Sequence, residues 1–282
     1  MLILWSFLSG YMFKEIDWLS LYSHFFNQPD SYAPSTPSPR TPPQHTPRGI
    51  YSNNSNRIEV KCPSEETAII IVGFGQSNSA NAQGQRYKAS SNKIINFHNG
   101  KCYKAVDPML GATGKRGSIW IPVAEKITTD KPIVLVTFGV GGSSISEWLD
   151  ENTLSNFYQS NRDSFRTAYS DANFVIWIQG ESDKNTHPKL YKSQLKTWLN
   201  EVSKDFNTAR LLITGTSYCN GTGNEKIVSI QKDVAEELDV IYLGNTDKFN
   251  NLIDRYDDCH FSAIGVEKVS TLISNHINNI IN

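Results

Sequence analysis

Five short apolar runs, at residues 67–74, 133–139, 174–179, 210–215 and 239–243, alternate with stretches of helical spacing. The helical stretches lie near 119–128, 155–170, 189–205 and 224–237, with a last one from 262 onward. This alternation limits the chain more than any other feature. Runs that are apolar at every position need cover on both faces, and strands joined through helices run parallel. The expected fold class is therefore α/β, with a central, mostly parallel, five-stranded sheet. Hydrophobic residues make up 39% of the chain, with six Trp and twelve Tyr, which is enough apolar material for such a core. In open sheets of this kind ligands bind beyond the carboxyl ends of the strands, so the residues following each run are the ones to read for chemistry.

The first run, Ile69-Ile70-Ile71-Val72-Gly73-Phe74, ends in Gly75-Gln76-Ser77-Asn78. A serine hydroxyl is a poor nucleophile until a base takes its proton. A strand-to-helix turn exposes it and aims backbone N–H groups at an incoming carbonyl oxygen. The fifth position is Ser79, so this is not the G-x-S-x-G elbow, and a serine here is also an ordinary helix cap. The second run leads into Gly139-Val140-Gly141-Gly142-Ser143-Ser144. The adjacent glycines Gly141 and Gly142 let a backbone N–H approach a ligand, or make a plain turn capped by Ser143 or Ser144. The third leads into Gln179-Gly180-Glu181. The Gln179 amide can donate to a developing negative oxygen, while Glu181 can orient neighbours, bind substrate or cap a helix.

Before the last helix stands Asp257-Asp258-Cys259-His260-Phe261-Ser262. Histidine titrates near neutral pH, so it can accept a serine proton and return it to a leaving alcohol. An acid three residues earlier can fold back on the far ring nitrogen; Asp258 and Asp254 are the alternatives to Asp257. His187, downstream of Glu181, is a further candidate substrate contact, whereas His24, His45, His98 and His276 have no acid or glycine context. Each polar cluster but the last directly follows its own expected strand. Together they supply a nucleophile, a base and an acid that orients the base, the minimum chemistry of a serine esterase.

The N-terminal region reads differently. Residues 1–27 begin with an uncharged apolar stretch, Met1 to Phe13, short of the roughly 17–25 residues that span a bilayer. It suits a signal, an anchor or a docking helix. Residues 28–57 are dense in proline and read as an extended linker, leaving 58–282 as the catalytic domain. With 27 basic and 28 acidic residues, charge offers no support for nucleic acid as a partner. The four cysteines, Cys62, Cys102, Cys219 and Cys259, lack zinc-site spacing. They are either buried thiols or, in an exported chain, two disulfides; the favoured pairing is Cys62–Cys102 and Cys219–Cys259, the second tying a strand end to the loop of His260. An exported enzyme (periplasmic, cell-surface or secreted) is the expectation.

The four clusters together resemble the SGNH (GDSL-type) hydrolase superfamily, and within it the sialate O-acetylesterase-like carbohydrate esterases. Gly75-Gln76-Ser77-Asn78 is similar to the nucleophile block, with Ser79 where the familiar GQSNM has Met. Gly141-Gly142-Ser143-Ser144-Ile145 with Trp148, Gln179-Gly180-Glu181, and Asp257-x-x-His260 resemble the second, third and fifth blocks. The resemblance implies a three-layer α/β/α, flavodoxin-like fold with no metal and no other cofactor. It implies Ser77 as nucleophile, His260 as base and Asp257 as its partner, with an oxyanion hole from the Ser77 and Gly142 N–H groups and the Gln179 side chain. Gln76, Asn78, Gly141, Glu181 and His187 are the expected substrate contacts, and the loop 107–114 is placed beside the substrate. The expected activity is removal of O-acetyl groups from a carbohydrate through an acyl-enzyme. An acyltransferase using the same site and a non-catalytic carbohydrate-binding module are the alternatives.

Overall fold

The sheet is built on apolar strands whose side chains alternate between two cores. Its strands are β1 (Glu59–Val60), β2 (Ile69–Gly75), β3 (Ile94–His98), β4 (Lys101–Lys104), β5 (Ile133–Thr137), β6 (Phe174–Ile178), β7 (Arg210–Gly215) and β8 (Ile241–Asn245). The computed structural model describes residues 49–249 and 251–282; the expectations for residues 1–27 and for most of the proline-rich segment lie outside them. Strand order is β1-β4-β3-β5-β2-β6-β7-β8. The stretch from β3 to β8 is parallel, while β4 and β1 add antiparallel pairs at one edge.

The sheet thus has eight strands rather than the expected five. The additions are the hairpin β3–β4 and the two-residue β1. The hairpin turns through Asn99-Gly100, both at positive φ (49° and 76°), the signature of a tight two-residue turn. Its strands carry Asn96, His98, Lys101 and Lys104 among their apolar residues, which breaks up the hydrophobic run. The five expected strands appear in the order β5-β2-β6-β7-β8. The chain leaves β2 for a neighbour on one side and returns on the other, the switch point at which flavodoxin-like sheets open a crevice.

Among the described residues six helices cover the sheet: α1 (Trp120–Glu125), α2 (Ile145–Leu149), α3 (Ser155–Arg166), α4 (Pro188–Asp205), α5 (Glu225–Glu237) and α6 (Ala263–Ile281). Ile70, Val72 and Phe74 of β2 pack into one core with Trp148, Tyr158, Trp198 and Val234 from α2 to α5. Ile69 and Ile71 face the other core, with Trp120 of α1 and Val266, Val269 and Ile273 of α6. This period-two division between two helical layers makes the α/β/α sandwich. Phe74, one turn before the serine, has its ring centroid 5.0 Å from Phe138 and 5.3 Å from Trp177, which pins the end of β2.

Both favoured disulfides are formed, Cys62–Cys102 and Cys219–Cys259. Residues 49–57, which the composition assigns to the linker, are packed on the domain. Tyr51 N–H donates to the Ala112 carbonyl at 2.9 Å, Gly111 N–H returns a bond to Tyr51 at 2.9 Å, and Gly114 N–H donates to Gly49 at 3.0 Å. Arg57 caps the carbonyls of Val106 and Pro108.

Candidate active site

The serine turn is set by close contact between β2 and β6. Gly75 has φ +131°, and a Cβ there would lie 2.0 Å from the Ile178 carbonyl oxygen, so only glycine lets the strands approach. The ladder continues one residue further as Gln76 N–H donates to Ile178 at 2.9 Å. Ser77–Ser79 then form a single 3-10 turn, buried throughout. Trp120 Nε1 donates to the Ser79 carbonyl at 2.7 Å. Gln83 Nε2 donates to the Asn78 carbonyl at 3.1 Å, while Gln83 Oε1 accepts the Phe261 N–H at 2.9 Å. One amide therefore ties the serine turn to the residue after His260.

His260 Nδ1 lies 2.7 Å from Asp257 Oδ2. The other carboxylate oxygen accepts the His260 backbone N–H at 2.7 Å and the Cys259 N–H at 3.2 Å. Partial burial would push the Asp257 carboxyl up, but the hydrogen bonds from the His260 ring and backbone outweigh it and hold the group at about 2. An ionised carboxylate can only accept, so the shared proton sits on Nδ1, and in the neutral imidazole Nε2 carries the lone pair. The loop is fixed from below: Arg255, buried, donates to the Cys259 and Thr246 carbonyls, and the Cys219–Cys259 disulfide ties it to the segment after β7. Tyr256 lies alongside the imidazole, with centroids 6.2 Å apart.

Ser77, His260 and Asp257 line one cavity of about 580 Å³ at the carboxyl ends of β2, β5 and β6, in company with Gln76, Gly141 and Gly142. Among the described residues no hydrogen bond joins Ser77 Oγ to the imidazole. Free-enzyme contacts of this kind are commonly long and shorten when substrate binds. Neither Ser77 N–H nor Gly142 N–H has a protein acceptor among the described residues. Gly142 has φ +75° and is exposed at the cavity, with its N–H unclaimed by a protein acceptor among the described residues. Gly141 N–H, by contrast, is taken by Thr113 Oγ1 at 2.7 Å.

Three expected residues stand elsewhere. Gln179 is fully buried and is not on the cavity wall. Its Nε2 donates to the Ser143 carbonyl at 3.2 Å and to Asp183, acceptors that turn both amide hydrogens away from the cavity. Asn78 is also fully buried behind the wall, its Nδ2 donating to Glu181 Oε1 at 2.6 Å. His187 is exposed just ahead of α4 and off the cavity. Glu181 does reach the wall, but it is 3% exposed and its Oε1 also accepts from Thr216 at 3.0 Å. Burial, opposed by the Asn78 bond, raises the Glu181 carboxyl above its usual range. Asp183 accepts the Ile145 N–H at 2.7 Å as well as the Gln179 amide, so it clamps the Gly141–Ser144 loop to the turn after β6.

The wall also includes Thr113 and Gly114, at the end of the expected 107–114 loop, and Ala82, Ser182, Lys184 and Asn220, which no motif singled out. Asn220 follows β7, so the rule of reading beyond each strand points to its neighbourhood. Among the described residues no group of three or more His, Cys, Asp or Glu side chains is placed to hold a metal ion.

The profile of the carbohydrate esterase, sialic acid-specific acetylesterase family matches residues 67–278. The chain belongs to this family. It is a carboxylic ester hydrolase. No curated protein matches the chain in sequence. Among solved structures it resembles a protein from Arabidopsis thaliana, at 16% identity over 74% of this chain and 97% of that one, with a TM-score of 0.59. It also resembles a family 3 carbohydrate esterase from Clostridium thermocellum, at 13% identity over 76% and 98% of the two chains, with a TM-score of 0.53. A GDSL-like lipase from Parabacteroides merdae aligns at 11% identity over 75% and 95%, also at 0.53. At such identities these likenesses describe a shared fold, and the family membership rests on the profile.

Proposed function

We propose that this esterase removes acetyl groups from a carbohydrate through Ser77, His260 and Asp257. The observation that carries the reading is the 2.7 Å contact between His260 Nδ1 and Asp257, made at the rim of the cavity into which Ser77 opens. In this scheme His260 Nε2 takes the Ser77 hydroxyl proton as Oγ bonds to the ester carbon. The carbonyl electron pair moves onto oxygen and is met by the N–H groups of Ser77 and Gly142. The C–O bond to the sugar then breaks, and His260 returns the proton to the departing alcohol. Water repeats the sequence on the acyl-serine and releases acetate. Asp257 holds the imidazole in the tautomer that this requires.

The Ser77→Ala enzyme is expected to lose at least about 10⁴ in kcat on p-nitrophenyl acetate while keeping its melting temperature. A serine-reactive phosphonate is expected to modify Ser77 in the wild type. Undiminished turnover by Ser77→Ala would discard the assignment. Acetate release from a panel of acetylated polysaccharides then identifies the sugar. We further propose that the enzyme works outside the reducing cytosol, since two disulfides are characteristic of oxidising compartments.

A further inference from the structure

Seven side-chain amides are buried among the described residues: Gln76, Asn78, Asn81, Gln83, Asn96, Gln179 and Gln231. Six of them donate to acceptors within the protein. Gln76 is the exception. It is 2% exposed, it lines the cavity immediately before Ser77, and its Nε2 has no protein acceptor among the described residues. Nor is that nitrogen among the enclosed polar atoms that lack a partner, so it opens on the cavity.

Its orientation is fixed by the other end of the amide. Gln76 Oε1 accepts the Ser182 N–H at 3.0 Å and the Gly180 N–H at 3.3 Å. A flipped amide would set its own N–H groups against these two donors, so the NH₂ group is held on the cavity side. Burying an amide donor without an acceptor is costly, and a fold that keeps one open in a cavity has reserved it for something that enters.

We infer that Gln76 Nε2 is the side-chain donor of the oxyanion site, the part that Gln179 cannot play from its buried position. This rests on the reading of Ser77 as nucleophile. Gln76 precedes Ser77 directly and points into the same cavity, so its N–H meets the ester oxygen from the side of β6. The backbone N–H groups of Ser77 and Gly142 supply the other two donors. As Ser77 Oγ bonds to the carbonyl carbon and the electron pair shifts to oxygen, the Gln76 bond strengthens, and the barrier falls through that difference rather than through tighter ground-state binding.

The discriminating variant is Gln76→Glu. A carboxylate still accepts the Gly180 and Ser182 N–H groups, so the turn keeps its support, while the donor facing the cavity becomes an acceptor. Gln76→Met removes the donor without adding charge. Both variants are expected to lose about 10²–10³ in kcat on p-nitrophenyl acetate with little change in KM. Circular dichroism is expected to show both variants folded at the assay temperature. A kcat within about threefold of wild type in folded Gln76→Glu or Gln76→Met would overturn the assignment. So would a raised KM at unchanged kcat, which would mark a ground-state sugar contact. Phosphonate modification of wild-type Ser77, followed by mass spectrometry, separates the two levels. A modified Ser77 with a fully active Gln76 variant sinks only the role of Gln76; an unmodified Ser77 together with a fully active Ser77→Ala enzyme sinks the serine mechanism beneath it.

Discussion

The serine turn and the histidine loop each deliver one reactive side chain to the same cavity, yet they are held by opposite means. Ser77, Asn78 and Ser79 are buried, and their positions follow from the close approach of β2 to β6 and the aromatic packing around Phe74. The loop of residues 251–262 is only partly buried: Leu252 is 86% exposed and Ile253 53%, while Arg255, Cys259 and Phe261 turn inward. Besides the packing of Phe261, discrete ties hold it: Arg255 to the Thr246 carbonyl, the Cys219–Cys259 bond and the Gln83 amide. Ser77 is thus placed by the same packing that makes the fold, whereas the outer part of the His260 loop is held by cross-links that can be cut one at a time. Loss of a tie on the histidine side should lower activity beyond what the lost stability explains, whereas disturbing the packing that supports the serine turn should lower both together.

The two disulfides offer the largest test of that contrast. Each joins cysteines 40 positions apart, so the unfolded chain gains nearly the same entropy when either is removed. Replacing either pair by serine is expected to cost about 2–4 kcal/mol in urea denaturation. Only the Cys219→Ser/Cys259→Ser enzyme should also lose kcat well below its melting temperature, because Cys259 adjoins His260. Equal activity in the two double variants would show that the loop keeps its place without the bond. A smaller effect is expected from Gln83→Leu. It strands the Asn78 carbonyl and the Phe261 N–H in a buried site, at a cost of about 1–3 kcal/mol. Its kcat should fall more than that of Cys62→Ser/Cys102→Ser at matched stability.

Acid provides the gentlest test. The Asp257 carboxyl is held at about 2, below its ordinary value of 3.8. A depressed folded-state value means stabilisation that is present above about pH 4 and fades as pH falls toward 2. Asp257→Asn should lower the stability at neutral pH and flatten that part of the acid limb in denaturation curves, because the contribution it removes is the one present above about pH 4. A wild-type limb unchanged by the substitution would mean that the histidine contact contributes nothing to folding.

The chain announces its strands where apolar residues run unbroken. β2, β5, β6, β7 and β8 are legible for that reason. β3 and β4 are not, because Asn96 is a buried amide bonded to Leu110 and Leu135, contacts no window of sequence displays. The same limit governs the site. Ser77, Gly142, Asp257 and His260 can be read because backbone position alone brings them to one edge. Gln179 also stands at that edge, but its acceptors are Ser143, from the turn after β5, and Asp183, four residues on. Which of two neighbouring glutamines opens into the crevice depends on partners that only the assembled sheet supplies.

The strip formed by residues 49–57 decides where this enzyme begins. Its bonds brace the stretch from Val106 to Gly114, whose far end, Thr113 and Gly114, forms part of the cavity wall. A version trimmed to start at residue 58, where the proline-rich composition invites the cut, would retain Ser77, Asp257 and His260 and lose the buttress behind one wall of their cavity.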